Sequence, residues 1–213
     1  ILITRNLYEH NTVVGQALYI SRKLLPSIPD NAGVLIVPYC RGGSSFTPGL
    51  ARTYSEQHGA SHDACRRGTN TPLHQDLVSR TQIALTKNPQ TQFLDVWWIQ
   101  GEFDLMTSNY VLPPQHFNNT IEAFRKDLKQ YHSQLNNITA APWFCGDTTW
   151  YLKENYPHAY EATYGNYKNN VLAKIIFVSF QQQGERGLTN APDKNQDNLS
   201  TGYYGSAYRV PEN

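Results

Sequence analysis

The sequence predicts an α/β fold in which a parallel sheet carries helices on both faces. Two observations predict it: short apolar runs typical of buried strands alternate with longer segments of helical periodicity, and two of the runs end in glycine-containing polar turns. The chain has 213 residues, which is enough for one domain, 1–213, with a sizeable core. We find no repeat and no internal domain boundary, and we expect right-handed crossovers between the strands.

The first elements are predicted from caps and prolines. Thr12 can cap a helix that runs to about Leu25, and Pro26 ends it. Residues 34–37 are apolar and β-branched, which predicts a strand. Residues 46–70 are polar and have no sustained period, so we expect a long loop there.

The middle of the chain has the clearest signals. Thr71-Pro72 opens a helix that runs to about Lys87, where Asn88-Pro89 ends it. Residues 93–99 predict a buried strand, and residues 115–135 predict a helix with apolar side chains at spacings of three and four.

The last third is predicted with fewer signals. Residues 140–145 predict a strand that enters a turn at Gly146-Asp147. Residues 160–170 are polar and aromatic, which favours a helix, and residues 171–180 favour a helix end followed by a strand. The tail, residues 181–213, is rich in Gly, Asn and Tyr and is predicted to be irregular.

Composition excludes several classes of protein and site. The formal net charge is +1, from 18 basic and 17 acidic residues without a basic stripe, which argues against a nucleic-acid partner. No 18-residue apolar run and no signal peptide are found, so no membrane partner is expected. The three cysteines, Cys40, Cys65 and Cys145, are odd in number and too widely spaced for a disulfide framework or a Cys-x-x-Cys metal site. A reducing compartment fits best, and a single disulfide bridge is the alternative. His58, His62 and His74 fall in or near the predicted loop, and we expect no metal site.

Two predicted strands deliver polar residues to what we expect to be one rim of the sheet. Residues 93–99 are followed by Gln100, Gly101 and Glu102, and the run at 33–39 is followed by a turn with two glycines. Backbone N–H groups of that turn and the Gln100 amide can form an oxyanion hole for acyl transfer, with Glu102 as support. Arg41 can bind a carboxylate through two parallel hydrogen bonds, or it can form a surface ion pair. Ordinary polar turns remain the alternative.

No residue of the chain is assigned as a nucleophile. Ser44 and Ser45 follow Gly42-Gly43, but the Gly-x-Ser-x-Gly elbow is not present and no His is assigned as their base. The pattern favours hydrogen bonding by these hydroxyls within the turn or to a substrate.

Two segments carry a resemblance to a known family. Residues 40–46 and 98–104 resemble the second and third conserved blocks of sialate O-acetylesterase-like SGNH hydrolases, and they are most similar to bacterial and prophage N-acetyl-9-O-acetylneuraminate esterases. Residues 14–18, 54–65, 143–150 and 202–209 resemble that family as well. The resemblance covers nearly the whole chain and implies an SGNH-hydrolase-like, flavodoxin-like three-layer sandwich with a central parallel sheet.

The resemblance also implies an activity. A member of this family removes the 9-O-acetyl group from sialic acid with a Ser nucleophile and a His base, and it needs no metal or cofactor. It implies oxyanion donors at Gly43 and Gln100 and a supporting role for Glu102. It places the following residues on the substrate side: Arg41, Ser44, Tyr203 and Tyr204.

The chain departs from the family pattern at two blocks. The Gly-Gln-Ser-Asn turn with the nucleophile and the C-terminal block with the His have no match here, so we expect both groups, and part of the fold, to lie outside these 213 residues. The chain alone is then expected to be inactive. A catalytically inactive sialoglycan-binding module and a structural fragment of a prophage protein are the alternatives. The expected partner is an O-acetylated sialic acid or sialoglycan; the compartment, bacterial cytoplasm or periplasm or release with phage products, is left open.

Overall fold

The computed structural model describes residues 16–39, 44–46, 66–105, 115–134, 141–148, 150–170 and 174–179. Its α-helices are α1 (Gln16–Leu24), α2 (Pro72–Lys87), α3 (Glu102–Leu105), α4 (Gln115–Asp127), α5 (Trp150–Asn155) and α6 (Pro157–Asn169). Its strands are β1 (Val96–Trp98), β2 (Trp143–Gly146) and β3 (Ile175–Val178). Short 3-10 helices cover Leu25–Ser27 and Lys129–Gln134.

The three strands form one parallel sheet in the order β1-β2-β3. Helices α3 and α4 lie in the connection from β1 to β2, and α5 and α6 lie in the connection from β2 to β3. Parallel strands need such crossovers, because a tight turn cannot return the chain to the same end of the sheet. The predicted α/β class with a parallel sheet is confirmed.

The core lies on one face of this sheet. Trp98, Trp143 and Cys145 point to that face and are almost fully buried. Phe117 and Phe124 of α4 pack on Trp143, with ring centroids 5.7 and 5.6 Å apart. Edge-to-face packing of this kind adds to the free energy gained from burial alone.

The opposite face carries a row of three register partners, Trp97, Phe144 and Ile176. Trp97 is 46% exposed and Ile176 is 45% exposed. The described residues therefore establish a helical layer over the core face, whereas this row of the second face stays half open to solvent.

Helix α2 begins and ends where the sequence predicts. Thr71 is its N-cap, and the Thr71 hydroxyl oxygen accepts a hydrogen bond from the backbone N–H of His74 at 3.3 Å. Pro72 occupies the first turn, and Asn88 leaves the helical conformation. The predicted strands at 93–99 and 140–145 are also confirmed, as the shorter strands β1 and β2, and the helix predicted at 160–170 is α6.

Two predictions need correction. Residues 34–37 are not a strand: Leu35 is 58% exposed, and no described segment forms a ladder of hydrogen bonds with this stretch. The helix predicted for 115–135 ends at Asp127 and is followed by a 3-10 helix at Lys129–Gln134, inside which Tyr131 has non-helical angles of φ −97° and ψ 26°.

Several predictions fall outside the described residues. They are the helix start at Thr12, most of the loop at 46–70 and the tail at 181–213. Within the part of the chain that is described, no helix combines the length and apolarity needed to cross a membrane.

Candidate active site

Polar residues follow each strand at the carboxyl edge of the sheet. Gln100 lies two residues beyond β1, Asp147 directly follows β2, and Ser179 directly follows β3. In open α/β sheets, this edge is where ligands bind. The segment Ser44–Phe46 lies against the first of these residues, so the predicted meeting of the two motifs is present in the structure.

Gln100 is held at this edge by its side-chain amide. The side chain is 5% exposed, and Nε2 donates to Asp104 Oδ2 at 2.9 Å and to the backbone oxygen of Ser44 at 3.4 Å. Its Oε1 is buried and has no hydrogen-bond partner among the described residues. The amide is thus oriented by its nitrogen and not by its oxygen.

Asp104 connects the two motifs. It is one helical turn after Gln100 and is 2% exposed. Its Oδ2 atom also accepts the backbone N–H of Phe46 at 3.1 Å. A buried carboxylate costs free energy unless donors satisfy it, and here the donors come from both segments of the site.

A buried arginine holds the other side of the Ser44–Phe46 segment. Arg67 is 7% exposed; its Nε donates to Ser44 Oγ at 3.0 Å, and its backbone N–H donates to the oxygen of Ser45 at 2.6 Å. Its guanidinium lies 4.5 Å from the ring centroid of Tyr39 and 5.6 Å from that of Trp98. Stacking on aromatic faces stabilises a cation that has left water.

Tyr39 serves this arrangement as a neutral ring. Burial raises the pKa of Tyr39 to about 12, although the nearby Arg67 charge acts in the opposite direction. The phenol is therefore protonated at neutral pH.

Asp147 forms a second polar centre at the same edge. It is 1% exposed; Oδ1 accepts the backbone N–H of Thr148 at 2.8 Å and the hydroxyl of Tyr160 at 3.0 Å. Oδ2 accepts the ammonium of Lys153 and the hydroxyl of Ser179 at 3.3 Å. This carboxylate joins the end of β2 to α5, α6 and the end of β3.

Burial and the charge of Asp147 keep the Tyr160 hydroxyl protonated. Burial raises the pKa of Tyr160, and the Asp147 charge raises it further. The ammonium groups of Lys153 and Lys168 lie 5.2 and 4.7 Å from the centroid of the Tyr160 ring. Tyr160 therefore acts as a hydrogen-bond donor and a cation-binding ring.

The structure brings together two of the predicted site residues, Gln100 and Ser44. Glu102 is the first residue of α3, and only its backbone is described. The described residues do not include the other predicted site residues: Arg41, Gly43, Tyr203 and Tyr204.

Sequence reasoning missed Asp104 and Arg67. The spacing of four between Gln100 and Asp104 is the local signal that could have found the first, because residues at that spacing meet on a helical turn. Arg67 has no local signal, because it lies in a polar stretch. Among the described residues, no group of three His, Cys, Asp or Glu side chains could hold a metal ion.

The chain is similar over its whole length to a curated protein and to a solved structure. It is 75% identical over 212 residues, 100% of the chain, to the probable 9-O-acetyl-N-acetylneuraminic acid deacetylase of Escherichia coli strain K12. A solved structure, the crystal structure of NanS, matches 100% of the chain at 74% identity with a TM-score of 0.74. The chain spans 65% of the length of each. Comparison with models of known protein families finds no match.

Proposed function

We propose that the protein is a sialate O-acetylesterase, because the chain is 75% identical over its whole length to a probable 9-O-acetyl-N-acetylneuraminic acid deacetylase. It removes the acetyl group from the 9-hydroxyl of N-acetylneuraminate, free or within a sialoglycan. The identity over the whole chain carries this proposal. We further propose an SGNH-type mechanism for this carbohydrate esterase, a bacterial or prophage origin, and residues 1–213 as parts of one domain.

The reaction is an acyl transfer to water. A Ser hydroxyl attacks the acetyl carbonyl while a His takes its proton, and the His then returns the proton to the departing 9-oxygen of the sugar. Water hydrolyses the acetyl-enzyme in the same way and releases acetate. We assign neither the nucleophile nor the base to a residue of this chain.

Gln100 is the side-chain donor that we propose for the tetrahedral intermediate. One N–H of its Nε2 is taken by Asp104 at 2.9 Å. The contact from Nε2 to the Ser44 oxygen is long, at 3.4 Å, so the second N–H is weakly engaged and remains able to donate to a closer, negatively charged oxygen. The backbone N–H of Gly43, directly before Ser44, is the proposed second donor.

The remaining predicted residues are proposed for the substrate side. The sialic acid carboxylate gives Arg41 a partner of matching shape and charge. Ser44, Tyr203 and Tyr204 complete the proposed substrate contacts, and Glu102 is proposed to support the turn that carries Gln100.

The test measures acetate release from 9-O-acetyl-N-acetylneuraminic acid by the full-length protein. Gln100→Ala is expected to lower kcat by roughly 10²-fold or more with little change in KM, as for loss of one oxyanion donor. Gln92→Ala, which removes an exposed amide ahead of β1, is the matched control and is expected to leave kcat unchanged.

Two results would contradict the proposal at different points. Full-length protein that binds the sialic acid but releases no acetate would make it an inactive binding module. Unchanged kcat in Gln100→Ala would remove Gln100 from the oxyanion hole and leave the esterase activity standing.

A further inference from the structure

One oxygen atom joins the two halves of the candidate active site. Asp104 Oδ2 accepts Gln100 Nε2 at 2.9 Å and the backbone N–H of Phe46 at 3.1 Å. Phe46 is 58 residues away along the chain, so this oxygen fixes a tertiary relationship and not a local turn. Asp104 is 2% exposed, and solvent does not weaken these bonds.

The orientation of the Gln100 amide decides what it can do for catalysis. With Nε2 toward the reacting oxygen, the amide stabilises a negative charge; rotated by 180°, it presents Oε1 and repels that charge. The charge of Asp104 selects the first orientation, because Oε1 toward a carboxylate would be repelled. No described group holds Oε1 by a hydrogen bond, so its oxygen end gives no competing anchor.

The same oxygen sets the position of the backbone that follows Gly43. Phe46 N–H is bound to Asp104, and Arg67 binds the two preceding residues through Ser44 Oγ and the Ser45 oxygen. The segment Ser44–Phe46, which follows the proposed donor Gly43, is therefore held in place relative to the Gln100 amide.

We propose that Asp104 is a positioning residue that orients the Gln100 amide and registers it against the Ser44–Phe46 segment for oxyanion stabilisation, an inference that rests on the proposed function. Asp104 acts through Gln100 and does not contact the reacting atoms. A charged acceptor suits this role, because hydrogen bonds to a carboxylate are about twice as strong as those between neutral groups.

The experiment is a double-mutant cycle on acetate release by the full-length protein. Asp104→Ala is expected to lower kcat by about 10- to 100-fold with KM changed less than about threefold. In the Gln100→Ala background, the factor by which Asp104→Ala lowers kcat is expected to be at least about fivefold smaller than in the wild type, because no amide remains to be oriented. If Asp104→Ala does not fold, the nearly isosteric variant Asp104→Asn replaces it in both backgrounds of the cycle.

Asp76→Ala removes an exposed carboxylate of α2 and is the control that leaves kcat unchanged. Equal losses of kcat for the Asp104 variant in both backgrounds, with an active wild type, would mean a merely structural role and would overturn this inference alone. A wild type without acetate release would overturn the proposed function, and this inference with it.

Discussion

Gly101, the residue after Gln100, lies against the side chain of Tyr164 in α6. A Cβ atom on Gly101 would be 2.7 Å from the Tyr164 hydroxyl oxygen and 3.0 Å from Cζ. The φ angle of Gly101 is +143°, which residues other than glycine rarely adopt. Tyr164 is fully buried, so α6 fixes the position of the turn between Gln100 and α3.

We expect Gly101→Ala to lower the free energy of unfolding of the full-length protein by about 2–4 kcal/mol, from backbone strain and overpacking together. Urea denaturation measures the loss. The substitution Tyr164→Phe in the same chain removes the nearest atom, the hydroxyl oxygen, and is expected to recover part of it.

Gly33→Ala is the matched control, because no atom lies within 4 Å of a Cβ at Gly33. We expect this variant to change the free energy of unfolding by less than about 0.5 kcal/mol. A loss as large as that of Gly101→Ala would show that neither the contact with Tyr164 nor the φ angle explains the requirement.

Asp147→Ala is expected to lower the free energy of unfolding by about 3–5 kcal/mol, because it leaves the ammonium of Lys153 without its buried partner. Thermal and urea unfolding both measure this. Asp76→Ala breaks an ion pair with Arg80 whose side chains are 44% and 51% exposed, and it is expected to cost no more than about 1 kcal/mol. Similar losses for both variants would contradict the central role of Asp147.

Thr71→Ala removes the N-cap of α2. We expect it to lower the free energy of unfolding by about 1 kcal/mol, because the His74 N–H loses its acceptor. The exposed Thr86, whose hydroxyl bonds to Gln82 within the same helix, gives the comparison variant Thr86→Ala. If Thr71→Ala and Thr86→Ala lower the free energy of unfolding by the same amount, the loss comes from removing a threonine side chain and not from removing the cap.

His74 predicts a dependence of stability on pH. Burial lowers the pKa of His74, and the charge of Asp127 opposes that shift only partly. The unfolded chain then binds the proton more readily, so the free energy of unfolding falls as pH drops below about 6.5 and levels off below the folded-state pKa. One such group contributes at most about 1.4 kcal/mol per pH unit.

The check compares urea unfolding of wild type and His74→Leu between pH 7.5 and 5. The variant is expected to lose less stability over this range, and His158→Ala, which alters an exposed histidine, is expected to follow the wild type. Parallel profiles for wild type and His74→Leu would exclude His74 as the source.

The elements predicted correctly are those with local signals. Helix α2 has a capping Thr71 and Pro72 at its start and Pro89 just beyond its end, and β1 and β2 are short apolar runs. Helix α5, with six residues, is shorter than two turns and gives too few positions for a period to be recognised.

The parts that were missed depend on distant residues. Gln100 lies at the end of its strand as predicted, and its contact with Asp104 has a local spacing of four. The second contact of Asp104, with the backbone N–H of Phe46, is 58 residues away, and no spacing in the sequence reveals it. Arg67 is buried because the rings of Tyr39 and Trp98 meet its guanidinium. The stretch at 34–37 has strand-like residues, but pairing decides whether a strand forms.

The two adjacent tryptophans of β1 divide between the faces of the sheet, since Trp97 is 46% exposed and Trp98 is 5% exposed. A water-soluble fluorescence quencher therefore reaches one indole directly and meets the other only when the sheet or its helical cover opens. Emission from Trp97 reports whatever comes to lie on the open row, whereas emission from Trp98 reports the ring packing beside Phe46, 6.0 Å away between centroids. Neighbours in the sequence thus lie in separate environments, one on the open row of the sheet and one in its core.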